Sequence, residues 1–239
     1  MRIIAIASGK GGVGRTTITA NLGIALSELG KSTIIVDASL TTPDLALLFK
    51  LERSVYTIND VLSGEASLSE VLHVGPKGVQ IATAAMTLEQ IKKVSPERMA
   101  EVLRGVPANT DFVIIDVPGG LKRETIAAIR AAQEVLLVAT PDMISLSDCM
   151  KARLISEFLG LTTIGVVLNR VRKDEFEIGG NEIKTVLNLP VLAEIPEDES
   201  VREALNKGEP LMVMDPRSRA AKAIMNLAKK LIKTKGPKA

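Results

Sequence analysis

Short apolar runs, many of them rich in β-branched residues, alternate along this chain with longer segments of helical periodicity. The alternation constrains the fold more than any other feature of the sequence, because it is typical of βαβ units built around a parallel sheet. Several runs are apolar at every position, as strands buried on both faces are expected to be. We therefore predict an α/β fold with one doubly wound, mainly parallel sheet flanked by helices. The predicted strands are residues 2–7, 33–37, 79–83, 111–116, 134–139, 163–168 and 191–195, and the predicted helices are residues 14–29, 98–105, 122–131, 146–159, 181–187, 199–206 and 217–232.

Composition and charge exclude several classes of protein. No linker, repeat or biased tract interrupts the alternation, so residues 1–239 are predicted to form one domain. The balance of 30 Lys and Arg against 28 Asp and Glu, with only 2% aromatic residues, predicts no specific nucleic-acid binding. The single Cys149 excludes an internal disulfide and a cysteine-cluster metal site within one chain, which leaves only a site shared across a dimer, and His73 is expected in an exposed loop. No apolar run is long enough to span a membrane, and we expect a cytoplasmic protein.

A glycine-rich segment, GKGGVGRTT at residues 9–17, follows the first predicted strand directly. Against the pattern G-x-x-x-x-G-K-[ST], it matches at Gly9, Gly14 and Thr16, but Arg15 replaces the lysine. Such glycines let backbone N–H groups curl around an anion, and the following helix adds the positive end of its dipole. The segment therefore predicts a phosphate-binding loop. Its candidate nucleotide-binding residues are Gly11, Gly12, Val13, Gly14, Arg15, Thr16 and Thr17.

Two carboxylates follow apolar strands where a phosphate site would need a metal. Asp37 ends the second predicted strand, and Asp116 ends a later one. Each aspartate alone could merely cap a turn. Because the carboxyl ends of parallel strands meet at one edge of a sheet, we expect both to lie near the glycine-rich loop. With the hydroxyl of Thr16, they form the predicted Mg²⁺ site.

Several further motifs, in the same order along the chain, complete a family pattern. They are SGKGGVG at residues 8–14, Asp37, DVPGG at residues 116–120, VVLNR at residues 166–170 and IPED at residues 195–198. From residue 3 to about residue 231 the chain resembles the MinD/ParA ATPases, which are P-loop NTPases with a deviant Walker A sequence. The resemblance implies ATP or ADP and Mg²⁺ as ligands. It also implies an ATP-dependent homodimer that acts on a regulatory or cargo protein, which the sequence does not identify.

The resemblance also implies roles for single residues. Lys10 would reach across the dimer to the partner's nucleotide, with Asp148 as its acidic partner, and Asp37 would help to position the attacking water. Lys10, Arg15 and Asp37 are therefore the candidate catalytic residues. Asn169 would recognise adenine, since its amide offers a donor and an acceptor to a base edge. The residues expected over the base are Pro196, Glu197 and Asp198.

Two positions depart from the family pattern, and they bear on catalysis. Arg15 replaces the lysine of the phosphate loop, and Ser39 replaces the second acid of a D-x-D sequence after the second strand. Arginine keeps the charge but is bulkier and planar, so we predict slow, Mg²⁺-dependent ATP hydrolysis. Two alternatives stay open. The chain could be a nucleotide sensor with little turnover, or an accessory ATPase for metallocentre maturation, for example of a hydrogenase.

The predicted helix at about residues 217–232 is basic and amphipathic, and two functions are open for it. It could lie on an anionic membrane, or it could pack on the core. In MinD-like proteins the membrane-binding segment follows the last core helix, whereas this chain stops soon after the helix. Packing on the core is therefore the favoured interpretation. The apolar stripe consists of Ala221, Ile224, Met225, Ala228, Leu231 and Ile232.

Overall fold

A computed structural model describes residues 1–41, 43–84, 94–120, 122–234 and 236. Within these residues, eight strands form one sheet in the order β3-β4-β2-β5-β1-β6-β7-β8. Every neighbouring pair is parallel except β3 and β4, which are antiparallel. The predicted α/β class is therefore confirmed. The strands are β1 (Arg2–Ala7), β2 (Thr33–Asp37), β3 (His73–Val74), β4 (Gln80–Ala82), β5 (Phe112–Asp116), β6 (Glu134–Ala139), β7 (Thr162–Val171) and β8 (Val191–Pro196).

Helices cover both faces of the sheet, which explains the continuous apolar character of the central strands. Along β1, Ile3 and Ala5 contribute to one hydrophobic cluster, and Ile4 and Ile6 contribute to the other. This alternation follows from the two-residue period of a strand. The helices are α1 (Arg15–Glu28), α2 (Leu45–Phe49), α3 (Ile58–Ser63), α4 (Met99–Val102), α5 (Arg123–Arg130), α6 (Met143–Phe158), α7 (Gly180–Leu187), α8 (Glu199–Lys207), α9 (Leu211–Met214) and α10 (Arg219–Lys233).

Some predicted elements differ from the observed ones. The strand predicted at residues 79–83 is shorter, Gln80–Ala82, and the helix predicted at residues 98–105 is only Met99–Val102 between 3₁₀ turns. The short helices α2, α3 and α9 were not predicted, because about one turn is too short to show helical periodicity. The expectation for His73 is wrong, since this half-buried residue pairs with Ile81 in β3 rather than lying in an exposed loop.

The last helix packs on the sheet. Its apolar side chains belong to the same hydrophobic cluster as those of α1, including the fully buried Leu227 and Ala228. At its carboxyl end, Arg2 donates to the backbone carbonyl oxygens of Leu231 and Thr234 and forms a two-pronged ion pair with the buried Glu134. The stripe thus has the core position that the sequence favoured. None of the described helices is long and apolar enough to cross a membrane.

Candidate functional site

The glycine-rich loop joins the end of β1 to the start of α1 at the carboxyl edge of the sheet. Gly12 and Gly14 have φ values of 79° and 94°, in the left-handed region that favours glycine. A Cβ on Gly14 would also lie 2.2 Å from the amide nitrogen of Asn169. The first turn of α1 has neither an acidic residue nor a side-chain cap. Its backbone N–H groups can therefore bind an anion.

Asp37 and Asp116 are register neighbours at the ends of β2 and β5. The hydroxyl of Thr16 donates a 2.7 Å hydrogen bond to one Asp116 oxygen, and that of Thr19 donates a 3.2 Å bond to the other. One oxygen of Asp37 accepts the backbone N–H of Ser39 at 2.8 Å, whereas its buried Oδ2 has no hydrogen-bond partner among the described residues. The three predicted metal-binding residues, Thr16, Asp37 and Asp116, therefore lie together.

Burial is the main cause of unusual pKa values in this carboxylate pair. It raises the pKa of Asp37 well above its ordinary value, and the negative charge of Asp116 adds to the effect. Burial also raises the pKa of Asp116, to about 6, although the hydroxyl of Thr16 and the charge of Arg15 oppose the rise. Two ionised carboxylates at these positions repel each other, and burial deprives them of solvation. A bound cation would relieve both costs.

The residues present fit Mg²⁺ better than a metal held by protein ligands alone. No group of three or more His, Cys, Asp or Glu side chains suited to a metal occurs in the part of the chain that the structure describes. Mg²⁺ is commonly held by one or two carboxylates and completes its octahedral shell with phosphate oxygens and water. The unpartnered Oδ2 of Asp37 and the Thr16–Asp116 pair supply donors of this kind beside the phosphate loop.

Arg15 opens α1, but its guanidinium is anchored by neighbouring segments. Its Nη1 donates a 2.8 Å hydrogen bond to the hydroxyl of Ser8, which donates in turn to the carbonyl oxygen of Lys10 at 2.6 Å. The guanidinium also packs against Gly119, where a Cβ would approach Nη2 to 3.1 Å. Burial lowers the pKa of Arg15, while Asp116 acts in the opposite direction. The arginine remains a cation, because its intrinsic pKa is so high.

Lys10 lies exposed on the outer side of the loop. Partial burial acts against ionisation of nearby Asp142, but hydrogen bonds from Thr140 and Ser145 and the charge of Lys10 together lower its pKa. Asp148, the acidic partner that the resemblance implied, forms a 2.8 Å ion pair with Lys151 instead. Its backbone lies against the loop, because a Cβ on Gly9 would come within 2.0 Å of the Asp148 carbonyl oxygen.

A cavity of about 250 Å³ opens beside Gly14 and contains the residues predicted to contact the base. Asn169 is buried at its wall and donates from its amide to the carbonyl oxygen of Val13 at 2.8 Å. Pro196 and Glu197 line it as well. Asp198 also lines it, but its carboxylate accepts the backbone N–H groups of Ser200 and Ala220, each at 3.1 Å. The side chain of Asp198 therefore joins two helix starts.

Two further cavities adjoin the loop. One, of about 290 Å³, is lined by Arg15, Thr16, Thr17 and by Asp44, and the other, of about 420 Å³, lies on the Lys10 side. Sequence reasoning missed Asp44, whose charge raises the pKa of both Asp37 and Asp116. It also gave no role to Arg170, which lines all three cavities. The sequence did contain a signal for each residue. Asp44 is an acid that follows the second predicted strand, and Arg170 is a cation that directly follows Asn169.

Residues 1–232 match the ParA family profile described as NUBPL iron-transfer P-loop NTPase. The chain belongs to the ParA/MinD family of P-loop ATPases. An ATP-binding protein of Methanocaldococcus jannaschii is 42% identical to this ParA/MinD ATPase over 232 residues, covering 97% of this chain and 88% of the relative. The family, the fold class and the enzyme class predicted from the sequence are therefore confirmed.

Comparison with solved structures also shows that this chain has the ParA/MinD fold. The cell division ATPase MinD of Pyrococcus furiosus has a TM-score of 0.93 at 36% identity, covering 97% of this chain and 98% of that one. MinD of Pyrococcus horikoshii, solved with Mg-ADP, has the same score and identity and covers 97% and 96%. The MinC:MinD complex of Aquifex aeolicus has a TM-score of 0.87 at 28% identity and covers 100% and 98%.

Proposed function

We propose that this ATPase binds ATP and Mg²⁺, closes into a homodimer, and hydrolyses ATP slowly to control its association with a regulatory or cargo protein. The observation that carries the proposal is the contact between Thr16 and Asp116. It joins the start of α1 to the end of β5, and Asp37 is in register with Asp116 on the neighbouring strand. The Mg-ADP bound to the Pyrococcus horikoshii relative supports these ligands.

Nucleotide binding would divide among three groups of residues. Backbone N–H groups of the glycine-rich loop and the start of α1 would hold the phosphates. Asn169 and the segment at residues 196–198 would border the base. Thr16, Asp37 and Asp116 would hold the metal or its water ligands, and bound Mg²⁺ would supply positive charge to the phosphates and carboxylates. The binding residues are Gly11, Gly12, Val13, Gly14, Arg15, Thr16, Thr17, Asn169, Pro196, Glu197 and Asp198.

Hydrolysis would depend on residues that orient water and stabilise charge. The N–H of Ser39 fixes one oxygen of Asp37, and the other oxygen would orient water, either a water ligand of the metal or the attacking water, by accepting a hydrogen bond from it. Arg15 would stabilise charge on the phosphates, but its hydrogen bond to Ser8 restricts the movement of the guanidinium. Because phosphoryl transfer depends almost entirely on positioning and charge, this restriction is expected to make turnover slow.

Dimerisation would use the outer side of the loop. Lys10 is exposed there, so its ammonium is available to the nucleotide of a second subunit. The Aquifex aeolicus relative forms a complex with MinC, which supports regulation by a protein partner. In this proposal, residues 1–239 act as one nucleotide-binding domain in the cytoplasm. Peripheral membrane association is the less favoured location, because the apolar stripe of α10 is buried.

Three measurements on the purified chain test the proposal. Calorimetry should detect ATP and ADP binding that strengthens with Mg²⁺, light scattering should detect a dimer with a non-hydrolysable ATP analogue, and phosphate release should be slow but measurable. Asp116→Asn should lose the Mg²⁺ dependence, whereas Asp111→Asn, on the exposed opposite edge of the sheet, is the matched control. A monomer at saturating analogue would contradict the switch.

The anchored Arg15 also favours a second candidate, a nucleotide sensor with negligible turnover. The two proposals differ only in whether bound ATP is hydrolysed at a measurable rate, so single-turnover phosphate release separates them. The metallocentre alternative has less support. The only cysteine, Cys149, is buried, and burial raises the pKa of its thiol to about 12, so a thiolate ligand from this residue is unfavourable.

A further inference from the structure

Arg170 has an unusual backbone conformation at the centre of the candidate site. Its φ is 60°, in the left-handed region that non-glycine residues rarely occupy. The register between β7 and β8 advances two residues, from Asn169 to Val171, while β8 advances one, from Ile195 to Pro196. Arg170 is therefore the extra residue of a β-bulge. Bulges beside active sites commonly redirect a side chain, and strained conformations concentrate at such sites.

The side chain that this bulge redirects is exposed and positively charged. The guanidinium of Arg170 has neither an ion pair nor a hydrogen-bond partner among the residues that the structure describes. The left-handed conformation costs free energy, and among the described residues the side chain gains no hydrogen bond or ion pair to offset that cost. A ligand outside the chain would account for the conformation.

The position of Arg170 indicates which part of a bound nucleotide its side chain would contact. The base cavity and the cavity beside Thr16 share Gly14, Thr17, Leu205 and Arg170 in their linings. A nucleotide with its base in the first cavity and its terminal phosphates in the second must pass this junction with its ribose and α-phosphate. A guanidinium is well suited to bind phosphate through paired, charge-assisted hydrogen bonds.

We infer that Arg170 is a nucleotide-binding residue that contacts the α-phosphate and is presented to it by the bulge of β7. The inference rests on the proposed function, because it requires an adenine nucleotide in the site. Under this inference, two arginines would contact different parts of the nucleotide's phosphate chain. Arg15 lies on the Asp116 side, and Arg170 lies on the base side of the loop.

Arg170→Gly separates the side chain from the backbone. Glycine adopts a positive φ without strain, so the bulge should persist and the melting temperature should not fall. Loss of a charge-assisted contact should weaken AMP and ADP binding by roughly 10- to 100-fold, while adenosine binding stays within about twofold. Displacement calorimetry with adenosine, AMP and ADP measures these ratios.

Lys173→Gly is the matched control. Lys173 has a φ of 64°, is exposed in the loop that directly follows β7 and lies outside the linings of the three cavities. It should show the same direction of stability change and unchanged nucleotide affinity. Equal AMP and ADP binding by the parent and Arg170→Gly would overturn the inference alone, as would an equal loss for adenosine and AMP. A parent chain that binds no adenine nucleotide would overturn the proposed function as well.

Discussion

The side-chain amide nitrogen of Asn169 lies 2.8 Å from the backbone carbonyl oxygen of Val13, so one buried residue joins the base cavity to the glycine-rich loop. The same amide nitrogen occupies the space that a Cβ on Gly14 would need. A residue predicted only to recognise adenine therefore also holds the loop that would bind phosphates. The predicted recognition of the base would therefore be physically coupled to the geometry of the loop through this single amide.

We predict adenine selectivity that depends on Asn169. The parent chain should bind ATP and ADP more tightly than GTP and GDP. Asn169→Ala should weaken binding of all four by roughly 5- to 30-fold, because the loop loses a buried hydrogen bond as well as a base contact. Calorimetry with the four nucleotides measures both effects. Guanine-nucleotide binding by the parent that equals or exceeds adenine-nucleotide binding would refute the selectivity.

A second prediction concerns Lys10. Lys10→Ala should abolish the dimer induced by an ATP analogue and should change nucleotide affinity by less than about fivefold, since the backbone donors and Arg15 remain. Light scattering and calorimetry on the same samples measure the two properties. Lys31→Ala is the control, because Lys31 faces Asp111 across 4.0 Å near the amino ends of the strands. A Lys10→Ala chain that still dimerises would exclude the proposed role.

A third prediction concerns Arg15. Arg15→Lys should raise kcat by about tenfold or more with little change in ATP affinity, because a flexible ammonium is free of the Ser8 contact and can follow the moving phosphate. Ser8→Ala should release the arginine without changing its charge and should raise kcat by a smaller factor. Single-turnover phosphate release decides the matter. If the parent is as fast as both variants, the anchored arginine is equivalent to lysine.

Ser39 tests the second departure from the family pattern. It is buried beside Asp37, which its backbone N–H contacts at 2.8 Å. Ser39→Asp would add a third acidic side chain near Asp37 and Asp116, so without Mg²⁺ it should raise the pKa of Asp37 further and lower the melting temperature. Combined with Arg15→Lys and excess Mg²⁺, it should increase turnover. A double variant slower than Arg15→Lys alone would exclude a water-positioning role for this residue.

The carboxylate pair predicts a pH dependence of stability in the nucleotide-free chain. Burial raises the pKa of Asp37 well above its usual value and that of Asp116 to about 6. At pH 5 the folded chain therefore holds protons that the unfolded chain has released, so the free energy of unfolding should fall as pH rises from about 4 through 6. For Asp116 the change is on the order of 2–3 kcal/mol. Urea unfolding at pH 5 and pH 7 should show a smaller drop for Asp116→Asn.

The ion pair between Arg2 and Glu134 predicts a large effect on stability. Their side chains are only 13% and 2% exposed. Arg2→Ala should lower the free energy of unfolding by about 3–5 kcal/mol, because it leaves a buried carboxylate uncompensated and frees the end of α10. Arg2→Met with Glu134→Leu should recover most of this loss. Denaturant unfolding checks both, and a loss below about 1 kcal/mol for Arg2→Ala would show that the pair contributes little.

The sheet was largely predictable because its strands are buried on both faces and carry a strong local signal. β1, β2 and β6 have the predicted bounds. The start of α6 was predicted three residues late, at residue 146, because the helix begins at an N-cap residue that lies before its apolar periodicity. Asp142 accepts the N–H of Ser145 at 2.8 Å ahead of the apolar periodicity. β3 was missed because two residues pair only through contact with β4.

The clustering of the candidate residues was predictable from the sequence, but their contacts with one another were less so. The loop, Asp37 and Asp116 come together because parallel strands end at one edge. The hydrogen bond from Arg15 to Ser8 and the use of Asp198 to join two helix starts depend on packing between distant elements. The left-handed conformation of Arg170 has no signature in sequence, because arginine rarely adopts it.

The central position of β1 has a consequence for synthesis of the chain. Arg2 is in register with Phe112 on one side of β1, and Ile4 is in register with Glu134 on the other. Because β1 precedes both of these neighbours in the chain, it leaves the ribosome before them, and its apolar side chains remain uncovered until they emerge. Until the second half of the chain emerges, those side chains are substrates for chaperones or for aggregation. The phosphate loop, which follows β1 directly, is therefore synthesised well before the strands that complete its surroundings.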